Sequence, residues 1–245
     1  MQRYFAKEKE EQSFILQDSD IHHIKNVMRC KINDKIEVVY ENIVYICQIK
    51  NINSLQLEIC DIVKEDRESP IDLTIAIALV NEQKMDLILQ KLTELGVSKI
   101  IPVRTERSII KLDDKKEDKK IARWQMICKE ASEQSKRTMV PIVENIMTLK
   151  QLTTLNDSLK LICSLNSLTK PIDYYMTKDK KNILFVIGPE GGFTDLEETM
   201  LLDNGFEPVT LGKRVMRVET AAIYVASIIK YIYEGWYYEL YNRFL

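Results

Sequence analysis

The chain has 245 residues, of which 45% are hydrophobic, with 35 lysines and arginines against 37 aspartates and glutamates. This length fits one large domain or two smaller ones, and 7 glycines with 6 prolines are too few for a fibrous or disordered chain. A net charge of −2 excludes a uniformly basic nucleic-acid-binding chain, so basic residues matter by where they cluster. No apolar run is long enough to cross a membrane and the charged first residues do not resemble a signal peptide, so we expect a cytoplasmic protein.

Cysteine and histidine are placed in a way that argues against a metal site. The five cysteines are scattered without a CxxC pair, and the two histidines are adjacent in the sequence. A structural zinc site needs several such ligands at close spacing, so we expect no metal. Cysteines in apolar surroundings are instead expected to be small buried residues. These are Cys47, Cys60, Cys128 and Cys163.

Residues 1–68 are predicted to form a small β-rich module. Apolar residues at helical spacing predict a short helix over 21–28. Three short strands separated by polar turns follow, over 36–40, 43–49 and 55–63. The charged stretch 64–70 ends in proline, so the predicted domains are 1–68 and 70–245.

Basic side chains concentrate near the start of this module. Between residues 22 and 35 a single acid, Asp34, stands among His22, His23, Lys25, Arg29, Lys31 and Lys35. Arg3 could extend the group. Such a strip could contact nucleic-acid phosphates, or it could be an ordinary solvated helix face. The residues alone do not favour one over the other.

From residue 71 onward, strands and helices alternate. An apolar strand is predicted over 71–80, followed by a helix whose apolar residues recur from Met85 to Leu95 and which Gly96 ends. The next strand is predicted over 97–103. This order is typical of a parallel α/β sheet.

The basic part of the chain, 104–137, is predicted to contain a helix with an apolar face around Trp124. Gln134 and Arg137 are three residues apart near its end, so on a helix they point the same way. Arg137 could be a cation that the dipole of the helix favours at its carboxyl end.

A strand–loop–helix unit begins at residue 183. Its apolar strand covers 183–187, and the loop Gly188-Pro-Glu-Gly-Gly192 follows. Glycines there remove side chains where a ligand could approach the backbone. Thr194 to Glu197 reads as a capping box that opens a helix, which Gly205 ends.

A second such unit has a strand over 208–211, a loop over 212–218 and a helix over 220–231. Ligands of parallel sheets usually bind at the carboxyl ends of the strands, where both loops would lie. A further predicted strand, 159–165, ends at Asn166-Ser167, and we expect that end to lie beside the two loops.

The loop chemistry restricts the ligand. Neither a Walker phosphate loop nor a GxGxxG dinucleotide fingerprint is present, and Glu190 within the first loop would repel a phosphate. A neutral or cationic adenosine compound without phosphates, such as S-adenosylmethionine, fits better. The alternative is that residues 188–192 form only a tight surface turn.

The two loops together resemble a known signature. Ile187-Gly-Pro-Glu-Gly-Gly-Phe193 and Leu211-Gly-Lys-Arg-Val-Met-Arg-Val-Glu-Thr-Ala221 closely resemble the paired motifs of the SPOUT-class small-subunit ribosomal RNA (uridine-N3)-methyltransferases. Further similar stretches are Lys91–Val97, Glu106–Ser108, Arg123–Trp124, Glu130–Arg137 and, more loosely, His23–Arg29. Val215-Met216 stands where the family more often has Ile-Leu, which keeps the apolar volume.

This resemblance implies a fold, a cofactor and partners. The fold is α/β, a SPOUT-type parallel sheet with a C-terminal trefoil knot, preceded by a small PUA-like RNA-binding β-barrel domain. Knots are almost absent from proteins, so the knot follows from the resemblance alone. The implied cofactor is S-adenosylmethionine, and the implied partners are the ribosomal RNA of the small subunit and a second copy of the chain. The aromatic-rich end, 234–245, is expected to pack against the core or that copy.

The resemblance also implies site residues. RNA contacts are expected from Arg3, His23, Arg29 and Arg137. Cofactor contacts are expected, mainly through the backbone, from Leu165, Ile187, Gly188, Glu190, Gly192, Leu211, Gly212, Val215 and Met216.

Catalysis at uridine N3 needs help because that nitrogen carries a proton at neutral pH. Arg217 is the best candidate to stabilise the anion left when the proton is removed, ahead of Lys213 and Arg214. Glu219 or Glu190 could accept the proton if burial raises the pKa of its carboxyl group. Glu219 could equally be a helix-start carboxylate that the dipole favours.

Two other functions compete with methyl transfer. A nicotinamide-dependent oxidoreductase could use the same α/β layout, although GxGxxG is missing. A non-catalytic RNA-binding or assembly factor could keep the fold, although Arg217 and the intact first loop would then have no function.

Overall fold

A computed structural model describes residues 1–11, 13–108, 114–157, 159–165, 169–177 and 182–242, except for the side chains of 114–116 and 236–242. The chain divides into two compact units, which are taken in turn. The first contains Met1–Glu68 and Lys129–Val140, and the second contains Ser69–Cys128 and Pro141–Leu245. The sequence pattern did not indicate that residues 129–140 belong to the first unit.

The first unit is a β-rich module with one short helix. A four-stranded sheet in the order β1-β4-β5-β6 and a separate β2-β3 pair are found within its described residues. β1 pairs with β4 in parallel, and the other pairings are antiparallel. Its elements are β1 (Arg3–Phe5), β2 (Glu8–Glu10), β3 (Ser13–Ile15), α1 (Asp18–His22) with a π-helical continuation (His23–Val27), β4 (Lys35–Tyr40), β5 (Ile43–Asn51) and β6 (Gln56–Val63).

The core of this module lies on one face of the sheet and under α1. Side chains of β4 alternate, so that Ile36 and Val38 point inward with Tyr45 and Cys47 of β5. Cys60, in contrast, is exposed, which corrects the expectation that it is buried. β6 is an outer strand of the sheet order and places that residue on the exposed side.

The second unit alternates strands and helices, as the sequence predicts. From Lys129 onward, α3 belongs to the first unit. The elements are β7 (Asp72–Ala78), α2 (Glu82–Glu94), β8 (Lys99–Arg104), α3 (Asp114–Gln134), β9 (Ile142–Val143), β10 (Met147–Thr148), α4 (Leu149–Thr153), β11 (Leu159–Cys163), β12 (Lys170–Pro171), α5 (Ile172–Tyr175), β13 (Asn182–Ile187), α6 (Asp195–Asp203), β14 (Glu207–Thr210) and α7 (Val218–Asn242).

One parallel sheet forms the centre of this unit. Counted over the described residues it has eight strands, in the order β10-β8-β7-β13-β11-β14-β12, with β9 beside β8. Both faces of β7 are buried. On one face, Ala76 belongs to a hydrophobic cluster that includes Leu201 of α6 and Leu152 of α4. On the sheet as a whole, α7 packs against the neighbouring strand β13. Ala76 and Ala78 are buried as completely as Ile75 and Ile77, so neither face of the strand is exposed to solvent.

The strand order determines where the loops meet. β11 pairs in parallel with both β13 and β14, so the three strands end at the same edge of the sheet. The capping box predicted at Thr194 is present at the start of α6. Within the described ranges, no helix is long and apolar enough to cross a membrane. The aromatic side chains of 236–242 and residues 243–245 lie outside the described part of the chain.

Candidate functional site

The carboxyl ends of β11, β13 and β14 enclose a cavity of about 270 Å³. Leucine, isoleucine, valine, methionine and proline side chains form much of its wall, with loop backbone between them. Every residue predicted to contact the cofactor lines this one cavity, namely Leu165, Ile187, Gly188, Glu190, Gly192, Leu211, Gly212, Val215 and Met216. Asn166 and Ser167, predicted to lie beside the loops, are outside the described residues.

Three glycines are needed for the shape of the loops. A Cβ on Gly188 would lie 2.8 Å from the Phe193 ring, which packs against the core of the unit. Gly192 and Gly212 have φ angles of +70° and +105°, in the region that side chains disfavour. The loop backbone is therefore bare toward the cavity, and a ligand can approach its N–H and C=O groups closely.

A third loop holds the first one in place. The Arg107 guanidinium, after β8, donates to the carbonyls of Gly191 at 2.8 Å and Phe193 at 3.1 Å. Glu197 accepts from the Glu106 N–H at 2.7 Å while also closing the capping box of α6. In the sequence, Glu106–Ser108 shows only a resemblance to the family and no sign of this role.

Next to the first cavity lies a second one of about 410 Å³. It shares Glu190, Val215 and Met216 with the first and is completed by Lys84 and Arg217. Lys84 was not predicted as a site residue. Its only sequence signal was its position in the first turn of a helix that follows a central strand.

Lys84 forms ion pairs with a carboxylate of the first loop and with one in the first turn of α7, directly after the second loop. Its ammonium contacts Glu190 directly and lies 3.6 Å from Oε2 of Glu219. The hydrogen bond from Lys84 lowers the pKa of Glu190, with the nearby Arg217 charge acting in the same direction. Glu190 is also half exposed, at 47% for its side chain. The expectation that burial raises the pKa of Glu190 is therefore wrong, and this carboxylate is a weak base.

The predicted catalytic pair lies where α7 begins. Arg217 is exposed just before the helix, and Glu219 occupies the first turn with its side chain 15% exposed. Among the described residues, no hydrogen-bond donor reaches Oε2 of Glu219. Arg214 lines the first cavity rather than the second. The position of Glu219 agrees both with a proton acceptor and with a helix-start carboxylate.

Arg3 was predicted to contact RNA, but the structure buries it completely inside the first unit. Its guanidinium donates to Glu37 at 2.8 Å and Glu65 at 2.9 Å, and to the Lys136 carbonyl at 2.6 Å. A side chain without solvent-exposed surface cannot contact RNA, so its role here is structural.

Arg137 is also buried rather than available to RNA. It lies beyond the end of α3, after Lys136 at a φ of +62°, so the alternative of a cation within the last turn of the helix does not apply either. Its guanidinium pairs with Glu68 at 2.7 Å, and its side chain is 6% exposed. This pair joins residues 129–140 to the rest of the first unit.

The other predicted RNA contacts remain accessible to different degrees. The Nδ1 atom of His23 lies 3.0 Å from the Tyr4 hydroxyl, which holds the ring half-buried. Arg29 is exposed at a φ of +51°, and Lys31 and Lys35 are exposed near it. Of the basic strip, His22, Arg29, Lys31 and Lys35 are thus exposed, His23 is half-buried, and Lys25 donates to the Asn53 carbonyl at 2.6 Å.

Two family models match the chain. One describes an RNA methyltransferase domain and covers residues 67–230, and the other describes an RNA methyltransferase PUA domain and covers residues 16–60. A curated relative, ribosomal RNA small subunit methyltransferase E of Bacillus subtilis, is 35% identical over 94% of this chain and 96% of its own length.

Solved structures agree with the sequence matches. A methyltransferase from Legionella pneumophila with bound S-adenosylmethionine is 30% identical over 93% of this chain and 96% of its own, with a TM-score of 0.87. Ribosomal RNA small subunit methyltransferase E of Neisseria gonorrhoeae, also bound to S-adenosylmethionine, is 32% identical over 95% and 98%, with a TM-score of 0.86. This chain belongs to the RNA methyltransferase family that carries a PUA domain, the family of ribosomal RNA small subunit methyltransferase E.

Proposed function

We propose that this protein methylates N3 of a specific uridine in 16S ribosomal RNA, with S-adenosylmethionine as methyl donor and the assembled small subunit as substrate. The observation that carries the proposal is the pair of adjoining cavities between the two loops. The first has apolar walls and bare backbone, and the second adjoins it and contains Arg217. A methyl donor and its acceptor need such neighbouring sites.

The first cavity fits S-adenosylmethionine by its chemistry. Bare backbone at Gly188, Gly192 and Gly212 can bind adenosine and the amino-acid part without a phosphate-binding loop. The apolar side chains of Leu211 and Met216 can cover the adenine ring. Glu190, a carboxylate with a lowered pKa, suits a cationic ligand and disfavours a phosphate.

The residues of the second cavity would act on the uracil base. S-adenosylmethionine supplies an electrophilic methyl carbon. Uridine N3 becomes a nucleophile only when its proton leaves, which spreads negative charge over N3 and the two neighbouring oxygens. We assign stabilisation of that charge to Arg217, a fixed cation at the cavity. The proton passes to Glu219, whose Oε2 accepts no hydrogen bond from any described residue.

RNA binding is assigned to the first unit. We propose that residues 1–68, completed by 129–140, form a PUA-like β-barrel that binds RNA through Arg29 and the neighbouring edge of His23. The match to a PUA family model and the exposed basic strip support this. Lys31 and Lys35 add positive charge on the same segment and would contact phosphates.

Three further properties belong to the proposal. A C-terminal trefoil knot is supported by the strand order, because β14 lies between β11 and β12, two strands that are already consecutive in the chain. A homodimer is supported by exposed apolar residues on α7, notably Tyr231 at 80% exposure. A cytoplasmic location follows from a ribosomal substrate.

The test is transfer of labelled methyl groups from S-adenosylmethionine to isolated small subunits and to naked 16S RNA. Digestion to nucleosides should give 3-methyluridine as the labelled product, with subunits the better substrate. Label in another nucleoside contradicts the N3 assignment, and no label in either substrate favours a non-catalytic RNA-binding factor. Tight binding of NAD without binding of S-adenosylmethionine, measured by calorimetry, would support the oxidoreductase.

A further inference from the structure

Lys84 is placed by elements outside the two loops. It lies in the first turn of α2, which begins just beyond the carboxyl end of β7. β7 pairs directly with β13, the strand that leads into the first loop. Asn81 caps α2 by accepting a hydrogen bond from the Lys84 N–H at 3.0 Å. The cap fixes the backbone from which the side chain reaches the site.

The ammonium of Lys84 connects the two loops electrostatically. It contacts Glu190 of the first loop and lies 3.6 Å from Glu219 at the end of the second. The hydrogen bond with Glu190 raises the pKa of Lys84, and the charges of Glu219 and Glu190 act in the same direction. The Lys84 ammonium thus attracts two carboxylates, Glu190 and Glu219, that would otherwise repel each other.

Arg217 is the other cation at the same cavity. Glu190 and Arg217 line this cavity together, and the charge of Arg217 contributes to the lowered pKa of Glu190. In the described part of the structure, nonetheless, no carboxylate forms an ion pair with Arg217. Glu190 is bound to Lys84 instead, which leaves the guanidinium of Arg217 at the exposed cavity wall.

We propose that Lys84 is a positioning residue of the methyl-transfer site. It binds the carboxylate of Glu190 and thereby leaves Arg217 available for the target base. Without Lys84, Glu190 is an unpaired anion beside Arg217 and captures its guanidinium. This inference rests on the proposed function for its activity test but not for its structural test.

The activity test uses suppression by a second substitution. Lys84→Met should lower kcat about tenfold while the KM for S-adenosylmethionine changes less than about threefold. Removing the competing anion as well, in the double variant Lys84→Met/Glu190→Gln, should restore most of the lost kcat. Lys84→Arg should retain activity because it keeps the charge. Lys91→Met is the matched control, since Lys91 lies on the same helix and pairs only locally with Glu94.

A purely structural role for Lys84 predicts a different outcome. If Lys84 only held the fold, the double variant would be as slow as Lys84→Met, or slower, and the proposal would be wrong. Thermal unfolding of each variant shows whether it is folded. Lys84→Gln replaces Lys84→Met in every comparison if the methionine variant does not fold.

The structural test needs neither cofactor nor RNA. A crystal structure of Lys84→Met should show the Arg217 guanidinium within about 4 Å of the Glu190 carboxylate, the usual limit of an ion pair. An Arg217 that stays apart from Glu190 overturns the inference. Because this readout is independent of turnover, it decides the role of Lys84 even if the wild-type protein methylates no RNA.

Discussion

At the scale of single residues, charge is arranged differently in the two units. Arg217, which no described carboxylate pairs, lies exposed at a cavity, whereas Arg3 is fully buried and surrounded by acceptors. Nothing in the residues next to them in the sequence separates these two arginines. Their burial and their ion pairs distinguish an arginine that can bind a ligand from one that stabilises the fold.

Arg217→Met should lower kcat about 100-fold, because one preorganised donor to a developing anion typically contributes that much. The affinity for S-adenosylmethionine, measured by calorimetry, should change little. Arg214→Met, from the same loop, should lower the affinity for S-adenosylmethionine and change kcat little. Arg214 lines the first cavity and not the second. Equal losses of kcat and affinity in both variants would contradict the division of labour between the cavities.

At the scale of elements, residues 129–140 join the β-rich module through charged groups. Lys129 of α3 donates to Asp20 of α1 at 2.5 Å and to Glu133 at 2.6 Å. Arg3 of β1 binds carbonyls of Lys136 and Arg137. The Lys129–Glu133 pair is a local i,i+4 contact. The contacts of Lys129 with Asp20 and of Arg3 with the two carbonyls join residues more than 100 positions apart, so no local pattern could reveal them.

Arg3→Met should destabilise the first unit by about 3–5 kcal/mol, since it removes the fully buried guanidinium that Glu37 and Glu65 share and leaves them with the more exposed Lys136 and Arg67. Arg67→Met is the matched control, because Arg67 also pairs with Glu65 but is 54% exposed. Its effect should stay below about 1 kcal/mol. Urea unfolding measures both, and equal effects would mean that the pairing of Arg3 is dispensable.

Glu133 should make stability depend on pH. Burial raises its pKa from 4.5 to about 7, against the opposing effect of Lys129 and with a smaller raising effect of Asp20. The folded state therefore holds this proton where the unfolded state has lost it. The contribution of protonated Glu133 to stability is complete below pH 4.5 and is lost as the pH rises to about 7.

The variant Glu133→Gln cannot titrate, so its free energy of unfolding should fall less than that of the wild type over this pH range. Urea unfolding at several pH values measures the two slopes. Glu130→Gln serves as control, since Glu130 is an exposed neighbour on the same helix and should keep the wild-type slope. Parallel wild-type and Glu133→Gln curves would contradict the role of Glu133.

Sequence reasoning succeeded where the determining chemistry is local. The glycines of the first loop, the capping box at Thr194 and the continuous apolar run of β13 each depend on neighbouring residues, and the structure has them as predicted. Prediction from the sequence failed where the two residues of a contact are distant along the chain. Lys84 meets Glu190 across 106 residues, and Arg3 meets Lys136 across 133. Strands of three residues, such as β1, are also too short to show alternation.

At the scale of the whole molecule, the chain builds two units without keeping each continuous. It forms most of the first unit, passes into the second, returns to the first over 129–140 and then completes the second. A module of 68 residues alone buries relatively little surface and is marginally stable. The returning segment supplies partners for its buried Arg3 and Asp20.

A fragment of residues 1–68 should therefore be much less stable than the same fragment joined to residues 129–140 by a flexible glycine–serine linker. Circular dichroism melts and the dispersion of amide NMR signals compare the two. Joining a scrambled version of 129–140 controls for chain length. A fragment that melts at the same temperature with and without the segment would show that the module is self-sufficient.

The discontinuity of the first unit has a consequence during translation. The ribosome releases residues 1–68 well before it releases residue 140, and synthesis at bacterial or eukaryotic speeds makes that interval on the order of ten seconds. Throughout it, the nascent amino-terminal strands lack Lys129 and the carbonyls that Arg3 requires. Chaperones that shield unfinished strands would act in that interval, and a pause introduced between codons 68 and 129 would prolong the exposure.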